Sequence, residues 1–186
     1  SVGARAPDRS LSDDKQGGLS CNLHLDPHYR SPHCQATDLR QLQYAAHEAL
    51  SEPVKALVSG LKAWNESAHV HRDRFGDAGK LRDGDDSYPS SLHPIVRTHP
   101  VTGRKALFVN ENFTTRIESL NKKESDAILK MLYDHIATPE FHCRFQWREK
   151  SVAFWDNRCA QHRSVWDYFP QVRHGYRVTI AGDRPF

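Results

Sequence analysis

Ser151-Val152-Ala153-Phe154-Trp155 is an apolar run of strand length, cut short by the turn-favouring Asp156-Asn157-Arg158. A second strand-like run, Val178-Thr179-Ile180, follows after His162, Arg173 and Arg177. Two short apolar runs with a turn signal between them restrict this part of the chain to sheet. Arg173 and Arg177 are four residues apart, and an even spacing in an extended segment puts both guanidinium groups on one face. One imidazole and two guanidinium forks can then share a pocket, the first suited to a metal and the others to anions. The bland alternative is a surface cluster of His162, Arg173 and Arg177, with the arginines paired to Asp167 or Asp183 and with Trp155 and Phe113 as core residues.

The chain upstream supplies more strands and one well-marked helix. Ile95-Val96-Arg97-Thr98 and Ala106-Leu107-Phe108-Val109 flank a turn about Pro100-Val101-Thr102-Gly103, which predicts a hairpin. His93 and His99 are assigned to strand-end and turn structure. Asn121-Lys122-Lys123-Glu124 has the spacing of a capping box, and Ile128, Leu129, Leu132 and Ile136 give the following helix one buried stripe. Phe141, Cys143, Phe145 and Trp147 alternate with polar residues, the pattern of a strand with one face on the core.

Asp38 is predicted to cap a helix running through Leu39, Leu42, Ala45 and Ala49. Ser51-Glu52-Pro53 starts another, with Val54, Leu57, Val58 and Leu61 as its apolar stripe. Residues 66–91 are polar, rich in glycine and include Asp83-Gly84-Asp85-Asp86, so a long surface loop is expected there. Residues 1–37 hold only scattered apolar side chains, and an irregular, disordered segment is expected ahead of a domain over 38–186.

The 186 residues suit one domain, and no apolar stretch approaches the ~20 needed to cross a membrane. A net charge of +3 is too small to imply nucleic acid. No secretory signal is read at the start of the sequence. Cys21, Cys34, Cys143 and Cys159 lack CxxC spacing, which reads as reduced thiols in the cytoplasm.

Several motifs in order carry a resemblance. Asp156-Asn157-Arg158-Cys159-Ala160-Gln161-His162, Asp167-Tyr168, Arg173, Arg177 and Gly182-Asp183-Arg184-Pro185-Phe186 resemble the C-terminal signature of the TauD/TfdA family of Fe(II)- and 2-oxoglutarate-dependent oxygenases. His93-Pro94-Ile95-Val96-Arg97-Thr98-His99-Pro100, Phe113-Thr114-Thr115-Arg116-Ile117 and Thr138-Pro139-Glu140-Phe141 extend it upstream. The resemblance implies a mainly β fold with helices, a partial double-stranded β-helix or jelly-roll. It implies Fe(II), with 2-oxoglutarate as co-substrate, and dioxygen and a small anionic substrate such as taurine or another sulfonate as partners. Neither nucleic acid nor membrane is implied, and self-association stays open.

By the same resemblance His162 is an iron ligand, Arg173 clamps 2-oxoglutarate, Arg177 and Phe113 serve the substrate, and Trp155 lies near the iron. The family's His-x-Asp motif is not found in its usual setting. His24-Leu25-Asp26 stands too near the first helix, and His71-Arg72-Asp73 falls in the polar loop, so His24 and Asp26 are only secondary candidates. A Gly-Gly-Asp-Thr segment would fall on Gln35-Ala36-Thr37-Asp38, where Asp38 replaces a threonine that contacts the oxoacid. These departures leave two expectations: an oxygenase, or an N-terminally truncated or rearranged and inactive member that binds anions or pairs with another chain through an open sheet edge.

Overall fold

The computed structural model describes residues 19–25, 37–68, 90–148, 151–165, 167 and 176–186. Two three-stranded antiparallel sheets carry the end of the chain. In the first, β1 (Leu19–Leu25) lies between β9 (Val152–Asp156) and β11 (Tyr176–Ala181). In the second, β2 (Thr37–Leu42) lies between β8 (His142–Gln146) and β10 (Ala160–Ser164). The turn after Asp156 thus carries the chain from one sheet into the other.

Alternation explains how the first sheet is oriented. Ala153 and Trp155 of β9 are buried, whereas Val152 and Phe154 are exposed, Phe154 by 64%. Trp155 and Trp147 anchor a small apolar cluster with Ala153, packed by Phe145 and Ala160. A buried tryptophan removes on the order of 200 Å² from water, roughly 5 kcal/mol of gross transfer energy, so these two supply most of the apolar burial in this small cluster.

A larger core lies under the remaining elements. These are α1 (Gln43–Glu48), α2 (Glu52–Val58), the sheet of β4 (Ser90–Pro94), β3 (Lys62–Glu66) and β7 (Thr114–Ile117), the hairpin of β5 (Val96–Thr98) and β6 (Lys105–Leu107), and α3 (Lys122–Ile136). Helix α3 begins on a complete capping box: Asn121 Oδ1 accepts from Glu124 N at 3.1 Å and Glu124 Oε2 accepts from Asn121 N at 3.2 Å. Leu129, Leu132 and Ile136 bury its apolar stripe beside Ile95, Leu107 and Ile117. Ser125 is buried within that stripe because its Oγ accepts the Ile117 N–H at 2.8 Å.

Three local expectations fail for physical reasons. Residues 37–42 form a strand, not a helix capped by Asp38; α1 starts at Gln43 on an extended Leu42. Ladder bonds to β8 and β10 on both sides outweigh the local helical spacing. The irregular segment expected over 1–37 contains a strand at Leu19–Leu25. There Leu19, Cys21, Leu23 and Leu25 alternate with Ser20, Asn22 and His24, a period-two signal that the reading missed. Leu57 is 53% exposed, outside the stripe assigned to it, and the strand Lys62–Glu66 went unread because only Ala63 and Trp64 in it are apolar.

Within the expected loop over 66–91, Ser90 opens β4, while the Asp83 to Asp86 run and His71-Arg72-Asp73 lie outside the described residues. Cys143 and Cys159 are free thiols. No helix among the described residues is long and apolar enough to cross a membrane.

Candidate functional site

His162 sits on β10 opposite Arg40 of β2, and its side chain is 21% exposed. Residues two apart on a strand share a face, so Asp38 stands diagonally across from the ring. Its Oδ2 lies 3.4 Å from His162 Nε2, and Asp38 is fully buried. Trp147 Nε1 donates to the same oxygen at 2.8 Å, and Arg40 approaches it at 3.6 Å. The first sheet supplies Trp155, whose ring centroid is 5.3 Å from that of His162 and carries the Arg40 guanidinium 3.9 Å above it. An imidazole, a carboxylate and a guanidinium thus meet between two indoles where the sheets face each other.

The other candidates fall into place unequally. Register sets position 24 in one cross-strand row with Ala153 and Arg177, and Ala153 belongs to the buried face that carries Trp155. Only the backbone is described at His24 and Arg177. Asp26, Arg173 and Tyr168 lie outside the described residues. Phe113 is half-buried in the turn before β7, where its carbonyl accepts Glu66 N at 2.8 Å. That turn is tied to the site through Asn110 Nδ2, which donates to Gln161 Oε1, next to His162, at 3.1 Å.

A second group of titratable residues lies behind the site. His99 Nε2 is 3.0 Å from Asp156 Oδ2, and Cys159 Sγ completes a set of three candidate ligand atoms within 4.8 Å of one another. Its hydrogen bonds argue against a metal. His99 Nδ1 accepts from the backbone N–H groups of Val101 and Thr102, both at 3.2 Å, so the ring proton is on Nε2 and donates to Asp156. Nε2 therefore has no lone pair to offer.

Arg158 clasps both oxygens of Asp156, with Nε at 3.0 Å from each and a terminal nitrogen at 2.7 Å. Burial alone would raise the Asp156 pKa, but the bonds from Arg158 and His99 outweigh it and bring it to about 2. Burial pushes the Cys159 thiol up, away from the thiolate that binds metals. Asp183 extends the network to the buried Arg97 at 2.6 Å, and Thr98 N donates to the Phe186 carbonyl at 2.7 Å. This cluster is a brace that fastens residues 182–186 and the turn after β9 to the hairpin.

The contacts that sequence reading missed are those of Arg40 and Trp147 with Asp38, and of Asp38 with His162. The one available signal was the even spacing of Asp38 and Arg40, which in a strand marks a common face.

Two facing antiparallel sheets, with a histidine on a strand of one and an indole of the other against it, define a double-sheet β protein with its site between the layers. The comparisons refine that class. The family description "Taurine catabolism dioxygenase TauD, TfdA family" matches residues 43–179, and the chain belongs to that family. The alpha-ketoglutarate-dependent sulfonate dioxygenase of Saccharomyces cerevisiae is 32% identical over 142 residues, which are 75% of this chain and 34% of the yeast protein. A Schizosaccharomyces pombe protein provisionally given the same activity is 46% identical over 147 residues, 77% of this chain and 36% of its own length. The alpha-ketoglutarate-dependent sulfate ester dioxygenase of Pseudomonas putida is 31% identical over 192 residues, covering 93% of this chain and 64% of that one.

A taurine dioxygenase structure from Burkholderia xenovorans superposes with a TM-score of 0.75 at 29% identity, covering 94% of this chain and 56% of that one. The fold is therefore the jelly-roll of the 2-oxoglutarate oxygenases, as the sequence motifs implied. The chain spans about a third of the length of the two yeast relatives.

Proposed function

We propose that this chain carries Fe(II)- and 2-oxoglutarate-dependent dioxygenase chemistry on a small anionic substrate, taurine or another sulfonate. The observation that carries the reading is the placement of His162 between the two sheets, its imidazole held against Trp155 with a buried carboxylate at 3.4 Å. Nitrogen and carboxylate donors in a half-buried cleft suit a divalent first-row metal, so the residues present fit iron. The names of the relatives supply the oxoacid and the sulfonate class.

Each side chain then has a task. His162 would hold the metal, with Trp155 against its ring setting the ring's plane. The planar fork of Arg173 pairs with the far carboxylate of 2-oxoglutarate, and Arg177 receives the anionic group of the substrate. Phe113 gives the substrate an apolar wall. Bound iron supplies dioxygen activation: one oxygen atom enters a substrate C–H bond and the other enters succinate, as the oxoacid loses carbon dioxide. On taurine, hydroxylation beside the sulfonate releases sulfite and an aldehyde. Action in the cytoplasm is part of the proposal, supported by the free thiols of Cys143 and Cys159.

Anaerobic titration with Fe(II) and 2-oxoglutarate tests the reading. The expected result is a weak visible charge-transfer band, lost in His162→Ala. A flat spectrum from the unaltered chain overturns it in favour of an inactive family member.

A further inference from the structure

The strand that carries His162 and the turn that carries Phe113 belong to different sheets. β10 is ladder-bonded to β2, whereas Phe113 directly precedes β7 of the sheet of β4, β3 and β7, and among the described residues no ladder bond joins the two sheets. Their spacing therefore falls to side-chain contacts. Gln161 bridges the gap with both ends of one amide: Oε1 accepts from Asn110 Nδ2 at 3.1 Å, and Nε2 donates to the carbonyl of the buried Val109. We propose that Gln161 is a positioning residue that, through Asn110, sets the distance between the substrate wall at Phe113 and the metal ligand at His162, and so selects the length of the sulfonate. The proposal rests on the reading of Phe113 and His162 as parts of one oxygenase site.

Asn110 passes the constraint on because it organises the whole turn. Its carbonyl accepts the N–H groups of Phe113 at 3.1 Å and Thr114 at 2.7 Å, its Oδ1 accepts that of Asn112 at 2.8 Å, and its own N–H donates to Thr114 Oγ1 at 2.9 Å. Backbone and side chain of Asn110 are both engaged, so Phe113 moves where Asn110 moves. Two bonds from one amide to consecutive residues fix orientation as well as distance, whereas a single bond would leave a pivot.

At the other end, Gln161 and His162 are successive residues of a ladder-bonded strand. Their side chains point to opposite faces, and the clasp reaches the imidazole only through the backbone. Its effect is on spacing, where an error of about 1 Å can cost on the order of a hundredfold. Loss of a mere fastening would reduce the folded fraction and leave the folded chain's preference among sulfonates unchanged. Loss of a spacer alters that preference.

Taurine and its one-carbon-longer homologue, titrated anaerobically into the full chain loaded with Fe(II) and 2-oxoglutarate, test the assignment through the change each makes in the visible charge-transfer band. In Gln161→Ala the band is expected to form as in the unaltered chain, the taurine affinity to fall at least about tenfold, and the ratio of the two affinities to change at least about threefold. Equal weakening of both sulfonates, or none, overturns the positioning role and leaves the oxygenase reading standing, as does loss of the band in Gln161→Ala alone. No band, or no response to either sulfonate, in the unaltered chain overturns the oxygenase reading and this one with it.

Should Gln161→Ala fail to fold, Gln161→Glu keeps the shape and the acceptor for Asn110 but sets an oxygen against the Val109 carbonyl, and the same change in ratio is expected of it. Nitrogen-15 NMR of the metal-free chain adds a readout that needs no loaded site: the Phe113 backbone amide is expected to shift in Gln161→Glu while that of Leu132, in the core of α3, stays in place. A Phe113 signal that does not move overturns the assignment.

Discussion

The brace around Asp156 makes a quantitative statement about acid stability. Its carboxyl falls from an ordinary 3.8 to about 2, because bonds from Arg158 and His99 outweigh the effect of burial. At 1.36 kcal/mol per pH unit this is roughly 2 kcal/mol, which partial solvent exposure trims to about 1–2 kcal/mol. A carboxylate with a depressed pKa favours the folded chain in full above pH 3.8, and the contribution fades as pH falls toward 2. Asp156→Asn keeps the shape but removes the titration. Its amide group also faces donors from Arg158 and His99, which adds a cost of about 1–3 kcal/mol that does not vary with pH in this window.

Urea unfolding of both proteins at pH 6, 5, 4 and 3 separates the two parts. The stability gap is expected to be widest at pH 6 and 5 and to shrink below pH 4, approaching a residual as pH nears 2. A gap that is constant across the series, or that widens in acid, refutes the account of Asp156 as a charge-paired brace.

Three further substitutions test the core and the long helix. Leu132→Ala removes a fully buried side chain facing Ile95 and Leu107 and is expected to cost about 2–5 kcal/mol in urea unfolding. Asn121→Ala deletes one half of the capping box and is expected to lower stability by about 1 kcal/mol, with Asn121→Asp recovering most of it. Ser125→Ala leaves the buried Ile117 N–H without its 2.8 Å acceptor, for an expected loss of about 1–3 kcal/mol, although alanine is the better helix former. A gain in thermal midpoint for Ser125→Ala would show that propensity decides at that position.

What could be read from the sequence, and what could not, divides along the range of the interactions. Helix α3 was legible because its cap, stripe and end all lie within the residues that form it. The hairpin of β5 and β6 and the run of β9 were legible for the same reason. Strand β2 was not: its local spacing suits a helix, and it becomes a strand because β8 and β10, about a hundred residues away, offer ladder bonds on both sides. Strand β1 alternates as a strand should, but its leucines stand among so many polar residues that the period went unseen.

The site divides in the same way. His162 and Trp155 were found through motif and apolar run, and the structure brings their rings to 5.3 Å. The sequence marks Asp38 as a helix cap and, by resemblance, as standing where a threonine contacts the oxoacid, but in a linear sequence an inward-facing carboxylate looks the same as an outward-facing one. Only the register that sets His162 opposite Arg40 reveals that Asp38, two residues before, faces the imidazole. A buried carboxylate in a small apolar cluster has to be compensated. Trp147, Arg40 and His162 surround it from three directions. That compensation exists only where β2, β8 and β10 lie side by side, which is why the neighbours of Asp38 in sequence could not place it.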